Sequence, residues 1–229
     1  MSTTIATQAA AGAGGGVAGG ATQAERSARS DRALIQAAID LIAERGYERT
    51  TLAAIGEASG YSRGLVTQRF GSKEGLLWEV VERMLKRWGA HSLRPRVGAT
   101  VGADALVLVV DAYTEAVASS PNGVRALYAL LFEAMGPVPA LRPKFEELHR
   151  HMRRDLAGWI RAGQAQGTVR PGVDAETEAA LFLGTIRGVT LQWLLDPKSV
   201  RIEQVLREYA RGLKRSLEAR GGSRSGPAE

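Results

Sequence analysis

A chain of 229 residues, 45% of them apolar, is long enough to bury one large core or two small ones. It has no cysteine, which excludes disulfides, thiolate metal sites and cysteine nucleophiles, and no apolar run near the roughly 18 residues that a membrane span needs. The net charge of +6 is uneven: residues 22–96 carry 13 Lys/Arg against 9 Asp/Glu, while residues 97–200 carry 10 against 11. A basic segment beside a near-neutral one suits a nucleic-acid module joined to a second activity, and the missing basic-apolar leader makes the expected location cytoplasmic.

Residues 1–21 are rich in Ala, Gly and Thr and carry no charge, so they are expected to form a disordered tail. The G-x-G-x-x-G match from Gly14 to Gly19 has no strand before it and reads as an accident of composition. Beyond it the pattern is all-α, with about nine helices and no strict alternation that would mark a strand. The prolines of residues 22–219 fall at or near the predicted breaks, as a helical protein requires. The first helix is predicted from Ser30 as N-cap, with the stripe Leu34, Ala37, Ala38, Leu41 and Ile42, and stops at Gly46. A second runs from about Leu52 to Ala58 behind Thr51, and a third from about Arg63 to Phe70 behind Ser62. A fourth opens after Ser72 and buries Leu76, Leu77, Val80, Val81, Met84 and Trp88. Five more are placed near residues 102–119, 122–135, 141–166, 174–195 and 199–219, and residues 220–229 are read as a second disordered tail.

The second and third helices are short and are joined by Ser59-Gly60-Tyr61, the arrangement of a helix-turn-helix. Gly60 permits a left-handed turn; Ile55, Val66 and Phe70 can lock the pair, and Gly56 allows close approach. With Val66 and Phe70 inward, Arg63, Gly64, Leu65, Thr67, Gln68 and Arg69 face outward. Arg can read guanine, Gln adenine, and Leu65 a thymine methyl. On pattern alone a solvated polar helix in a bundle explains the same face equally well.

The run Thr50-Thr51-Leu52-Ala53-Ala54-Ile55-Gly56-Glu57-Ala58-Ser59-Gly60-Tyr61-Ser62-Arg63-Gly64, continued by Phe70-Gly71-Ser72-Lys73-Glu74-Gly75-Leu76-Leu77, resembles the N-terminal domain of the TetR family over about residues 28–88. The resemblance implies a DNA-binding domain over 28–88, with its motif at 51–70, and a ligand-binding and dimerisation domain over 89–219. It implies a homodimer on a palindromic double-stranded DNA operator, acting as a repressor released by a small-molecule effector, without cofactor or membrane. Thr51, Ser62 and Lys73 would hold phosphates. Thr67 stands where the family often has tyrosine, and Asp31 where it often has arginine, with Arg26 and Arg29 ahead of the first helix.

In the C-terminal half, Gly188 to Pro197 looks like the end of the family's penultimate helix. Gly184 and Gly188, with Leu191 and Leu195, are the candidate dimer face; packing within one subunit is the alternative. A ligand pocket is expected among the middle helices, with Trp88, Tyr113, Tyr128 and Phe132 as candidates together with His149, Met152 and Trp159.

Two other patterns look chemical. Gly60-Tyr61-Ser62-Arg63-Gly64 matches the G-x-S-x-G elbow of serine hydrolases, which needs a strand where this chain offers a helix. Of the three histidines, His149 and His151 point apart on a helix, so no metal site is expected. A helical interaction module without DNA binding is a third reading, opposed by Arg63, Gln68, Arg69 and Lys73.

Overall fold

The computed structural model describes residues 22–219, so the two expected tails and the Gly14–Gly19 motif lie outside the described residues. Ten α-helices follow in order: α1 (Gln23–Arg45), α2 (Leu52–Ser59), α3 (Arg63–Phe70), α4 (Lys73–Arg87), α5 (Arg94–Val97), α6 (Gly102–Ser119), α7 (Pro121–Met135), α8 (Arg142–Ala165), α9 (Ala175–Leu195) and α10 (Ile202–Leu217). A π-helical turn, Trp88–Leu93, joins α4 to α5, and a 3-10 turn, Pro139–Leu141, leads into α8. No strand is formed among the described residues; one isolated bridge pairs Val169 with Glu218.

The nine expected helices are all present, and α5 is an addition. Helix α1 begins seven residues earlier than Ser30. Thr22 and Glu25 form a reciprocal capping box there, and each satisfies an amide that a helix start leaves unpaired. Ser30 is therefore inside the helix, buried, with its hydroxyl donating to Ser27 O at 2.8 Å. Arg26 and Arg29 lie in the first turns of α1 rather than ahead of it.

Two apolar cores form. The first joins α1 to α4 through Leu34, Ile42, Ile55, Val66, Leu76 and Val80, and extends to Ala126, Leu130 and Ala134 of α7 and Phe145 of α8. The second gathers α6, α8, α9 and α10 around Leu106, Val110, Ile160, Phe182 and Leu206, with Val124 and Tyr128 of α7. Helix α7 thus serves both cores. No single described helix is long and apolar enough to cross a membrane.

Candidate nucleic-acid interface

Helices α2 and α3 are built by their caps. The Ala54 amide donates to Thr51 Oγ1 at 3.1 Å, and the Leu65 amide donates to Ser62 Oγ at 3.2 Å. Gly60 takes φ 77, ψ 20, a left-handed conformation that closes α2. The chain then turns back so that the Tyr61 amide reaches Gly56 O at 2.8 Å. Ser62 is thus a helix cap reached from a helix and a turn, with no strand before it among the described residues.

Val66 is fully buried against Ile55, which turns the opposite side of α3 outward. Arg63, Gly64, Thr67 and Gln68 are exposed there, while Leu65 is half-buried. The Thr67 hydroxyl donates to Arg63 O at 3.1 Å, one turn back, which holds the side chain along the helix.

Arg69 is exposed but engaged within the chain. It lies 2.8 Å from Asp31 Oδ1 and donates to Ser27 O at 3.3 Å and to the Ser27 hydroxyl. Asp31 Oδ2 also sits 3.5 Å from Arg83 of α4. One carboxylate of α1 therefore ties α3 to α4, and the position noted as unusual in sequence has a structural partner.

Lys73 opens α4 beside the turn after α1. Its ammonium lies 3.9 Å from the centre of the Tyr47 ring and donates to Glu48 O at 3.3 Å. The Tyr47 hydroxyl is pushed up to about 12, by burial first and then by the Glu74 charge to which it donates at 3.4 Å. This phenol stays neutral and holds the turn against the start of α4.

The C-terminal candidates divide. Tyr128 is buried, and its hydroxyl donates to the carbonyl of Arg187 at 3.1 Å. Tyr113 lies 2.8 Å from Thr190 Oγ1; since Thr190 itself donates to Ile186 O, the tyrosine is the donor, and burial pushes its hydroxyl above the ordinary phenol range. Trp88 and Trp159 pack against the same core. His149 is half-buried and held down to about 4, by burial first and then by Arg187 and Arg153. Met152 is half-buried on the same helix. Phe132 does not join them. It is 48% exposed near the end of α7, one turn from Met135, which is more exposed still, so it is removed from the pocket set. A cavity of about 720 Å³ opens elsewhere, between α1 and α4, against Ile35, Ile39, Met84 and Arg83.

On α9, Gly184 is exposed and Leu195 is 78% exposed, whereas Leu191 packs partly against its own core. Leu181, which sequence reasoning missed, is 58% exposed on the same face. The spacing 181, 184, 188, 191, 195 carries that signal, alternating three and four residues. Arg187 and the Asp31 bridge were also missed, because both depend on tertiary contacts.

Fold and capped helix pair together define a helix-turn-helix DNA-binding regulator. Residues 34–80 match the family model described as bacterial regulatory proteins of the tetR family, and residues 102–218 match that of the BetI-type transcriptional repressor C-terminal domain. The chain belongs to the TetR family and is a DNA-binding transcriptional repressor. It is 30% identical to the HTH-type transcriptional repressor KstR2 of Rhodococcus jostii, over 77% of this chain and 85% of that protein. The fatty acid degradation regulator FadR of Bacillus halodurans superposes with a TM-score of 0.72 at 20% identity, over 85% of this chain and 96% of that one. A transcriptional regulator of Saccharomonospora viridis, solved in complex with choline, superposes with a TM-score of 0.70 at 22% identity, over 85% and 100%.

Proposed function

We propose that two copies of this chain bind a palindromic duplex operator through α3 and release it when a small molecule occupies the C-terminal half. The carrying observation is the outward face of α3, where Arg63, Gly64, Thr67 and Gln68 stand over a fully buried Val66, with Leu65 at its edge. Arg63 and Gln68 are assigned to base edges; Thr51, Ser62 and Lys73, at two helix starts and the α3–α4 junction, to backbone phosphates. Arg69 is assigned to holding α3 against α1 through Asp31. The dimer is assigned to the face of α9 that carries Leu181, Gly184, Gly188 and Leu195, with Leu191 at its edge.

A salt titration on operator and random duplexes tests this. Lys73→Ala is expected to weaken both similarly and to lower the slope of log affinity against log salt by about one per half-site. Arg63→Ala and Gln68→Ala are expected to lose about 1–3 kcal/mol on the operator and much less on random DNA. Wild-type behaviour of all three variants on both duplexes would refute the assignment.

A further inference from the structure

Among the buried nitrogens with no hydrogen-bond partner are Nε of Arg187 on α9 and Nε2 of His149 on α8. An unpaired buried polar group costs about 1–3 kcal/mol, so natural proteins leave few of them. The surroundings explain why no side chain supplies the acceptor. The Arg187 guanidinium stacks at 5.5 Å over the Tyr128 ring, and no carboxylate among the described residues pairs with it. The charges that bear on His149 are those of Arg187 and Arg153, both cations. The two nearby phenols have already committed their protons, Tyr128 to Arg187 O and Tyr113 to Thr190 Oγ1. The phenols therefore add no free donor, and the surplus at the site is the positive charge of Arg187 and Arg153.

One apolar surface leads away from it. On α8, His149, Met152, Leu156 and Trp159 are spaced i, i+3, i+7 and i+10, which puts them in one stripe along the helix. Its polar end is His149, facing the influence of Arg187; its apolar end is Trp159, packed against the core.

We infer that the effector is an amphipathic carboxylate, its head accepting from Arg187 Nε and His149 Nε2 and its chain lying along Met152 and Trp159. This rests on the reading of the C-terminal half as a ligand sensor and names the chemistry that the sensor takes. A guanidinium and an imidazole in its Nε2–H tautomer suit this head because both donate to it without giving up a proton. A cationic head would meet Arg187 and Arg153, and a neutral alcohol offers one acceptor in place of two.

The experiment uses the full-length protein and three probes with the same chain: decanoate, decanol and decyltrimethylammonium. Binding is read by tryptophan fluorescence, and release by a labelled operator duplex. Decanoate is expected to bind most tightly and to release the operator. Arg187→Gln is expected to lose about tenfold or more in decanoate affinity, the worth of one charge-assisted hydrogen bond, while its decanol affinity stays within about twofold. His149→Ala is expected to weaken decanoate in the same selective way. Operator binding without probe shows that each variant is folded, and Arg187→Lys, which keeps the charge, is expected to recover part of the loss. If decanol or decyltrimethylammonium binds tighter than decanoate and releases the operator, the anion assignment is overturned and the sensor reading stands. Decanoate affinity equal to wild type in folded Arg187→Gln overturns it equally. If no probe binds or releases the operator, the sensor reading falls and takes the anion with it.

Discussion

Replacing Gly56 by alanine tests how α2 and α3 are held. A Cβ at this position would stand 2.8 Å from the carbonyl oxygen of Tyr61 and 3.1 Å from both the Arg63 nitrogen and the Ser62 carbonyl carbon. All three are backbone atoms, so no rotamer change relieves the contact. Ordinary contact begins near 3.4 Å, and the turn must move by about half an ångström. The moved segment carries the bond from the Tyr61 amide to Gly56 O and the Ser62 cap. Overpacking of this kind costs about 1–3 kcal/mol, offset by about 1 kcal/mol from the better helix propensity of alanine. A net loss of up to about 2 kcal/mol lowers the melting temperature by up to about 8 °C for a chain of this size. Operator affinity falls more than affinity for random DNA, because α3 is displaced relative to its partner half-site. Gly64→Ala is the control for stability: its Cβ meets only the Ser62 hydroxyl, at 3.7 Å, so its melting temperature is expected to equal or exceed wild type. Thermal melts and operator titrations of both variants decide. A Gly56→Ala protein that melts no lower than wild type and binds the operator equally well would refute the close-approach argument.

At Gly184 and Gly188 a Cβ meets nothing within 4 Å inside one protomer. Alanine at both is therefore expected to stabilise an isolated protomer by about 1 kcal/mol per site, yet to weaken the dimer; sedimentation equilibrium showing an unchanged dimer would remove α9 from the interface. Leu195→Arg is expected to shift sedimentation toward monomer without loss of helicity, and a dimer at wild-type strength would count against the same face. Asp31→Asn removes the carboxylate between Arg69 and Arg83; we expect about 1 kcal/mol less stability by denaturant titration and a steeper salt dependence on random DNA, since Arg69 is freed. His149 is held down from 6.5 to about 4 in the folded state. Its contribution to stability is thus present above pH 6.5 and lost as pH falls toward about 4. Denaturation across that range should show a smaller loss for His149→Gln than for wild type, and equal losses would refute the shift.

The helix-turn-helix was legible because its determinants are local. Thr51 and Ser62 bond amides three residues on, and Gly60 needs only its own backbone freedom. The fourth helix start at Ser72 follows the same rule. The start of α1 is displaced from the expected one because the apolar stripe begins at Leu34, while the capping box at Thr22 and Glu25 sits about three turns upstream, on a stretch whose only apolar residues are alanines. Arg69 was read as a base contact because its position on α3 faces outward; the partner that claims it, Asp31, is 38 residues away in sequence. Phe132 was placed inward by residue type alone, and no periodicity could say that the end of α7 lies uncovered.

Helix α7 places Ala126, Leu130 and Ala134, at i, i+4 and i+8, in the core of α1–α4, and Val124 and Tyr128 in the core of the other helices. Its two faces are thus owned by different halves of the molecule. Excising residues 28–88 would strip α1 of the α7 wall it leans on. A chimaera that exchanges the front end of this regulator for that of a relative meets the same difficulty. The seam between the two parts does not cross the chain at one residue; it runs lengthwise along α7, and a graft that keeps both faces in register must bring half of that helix with it.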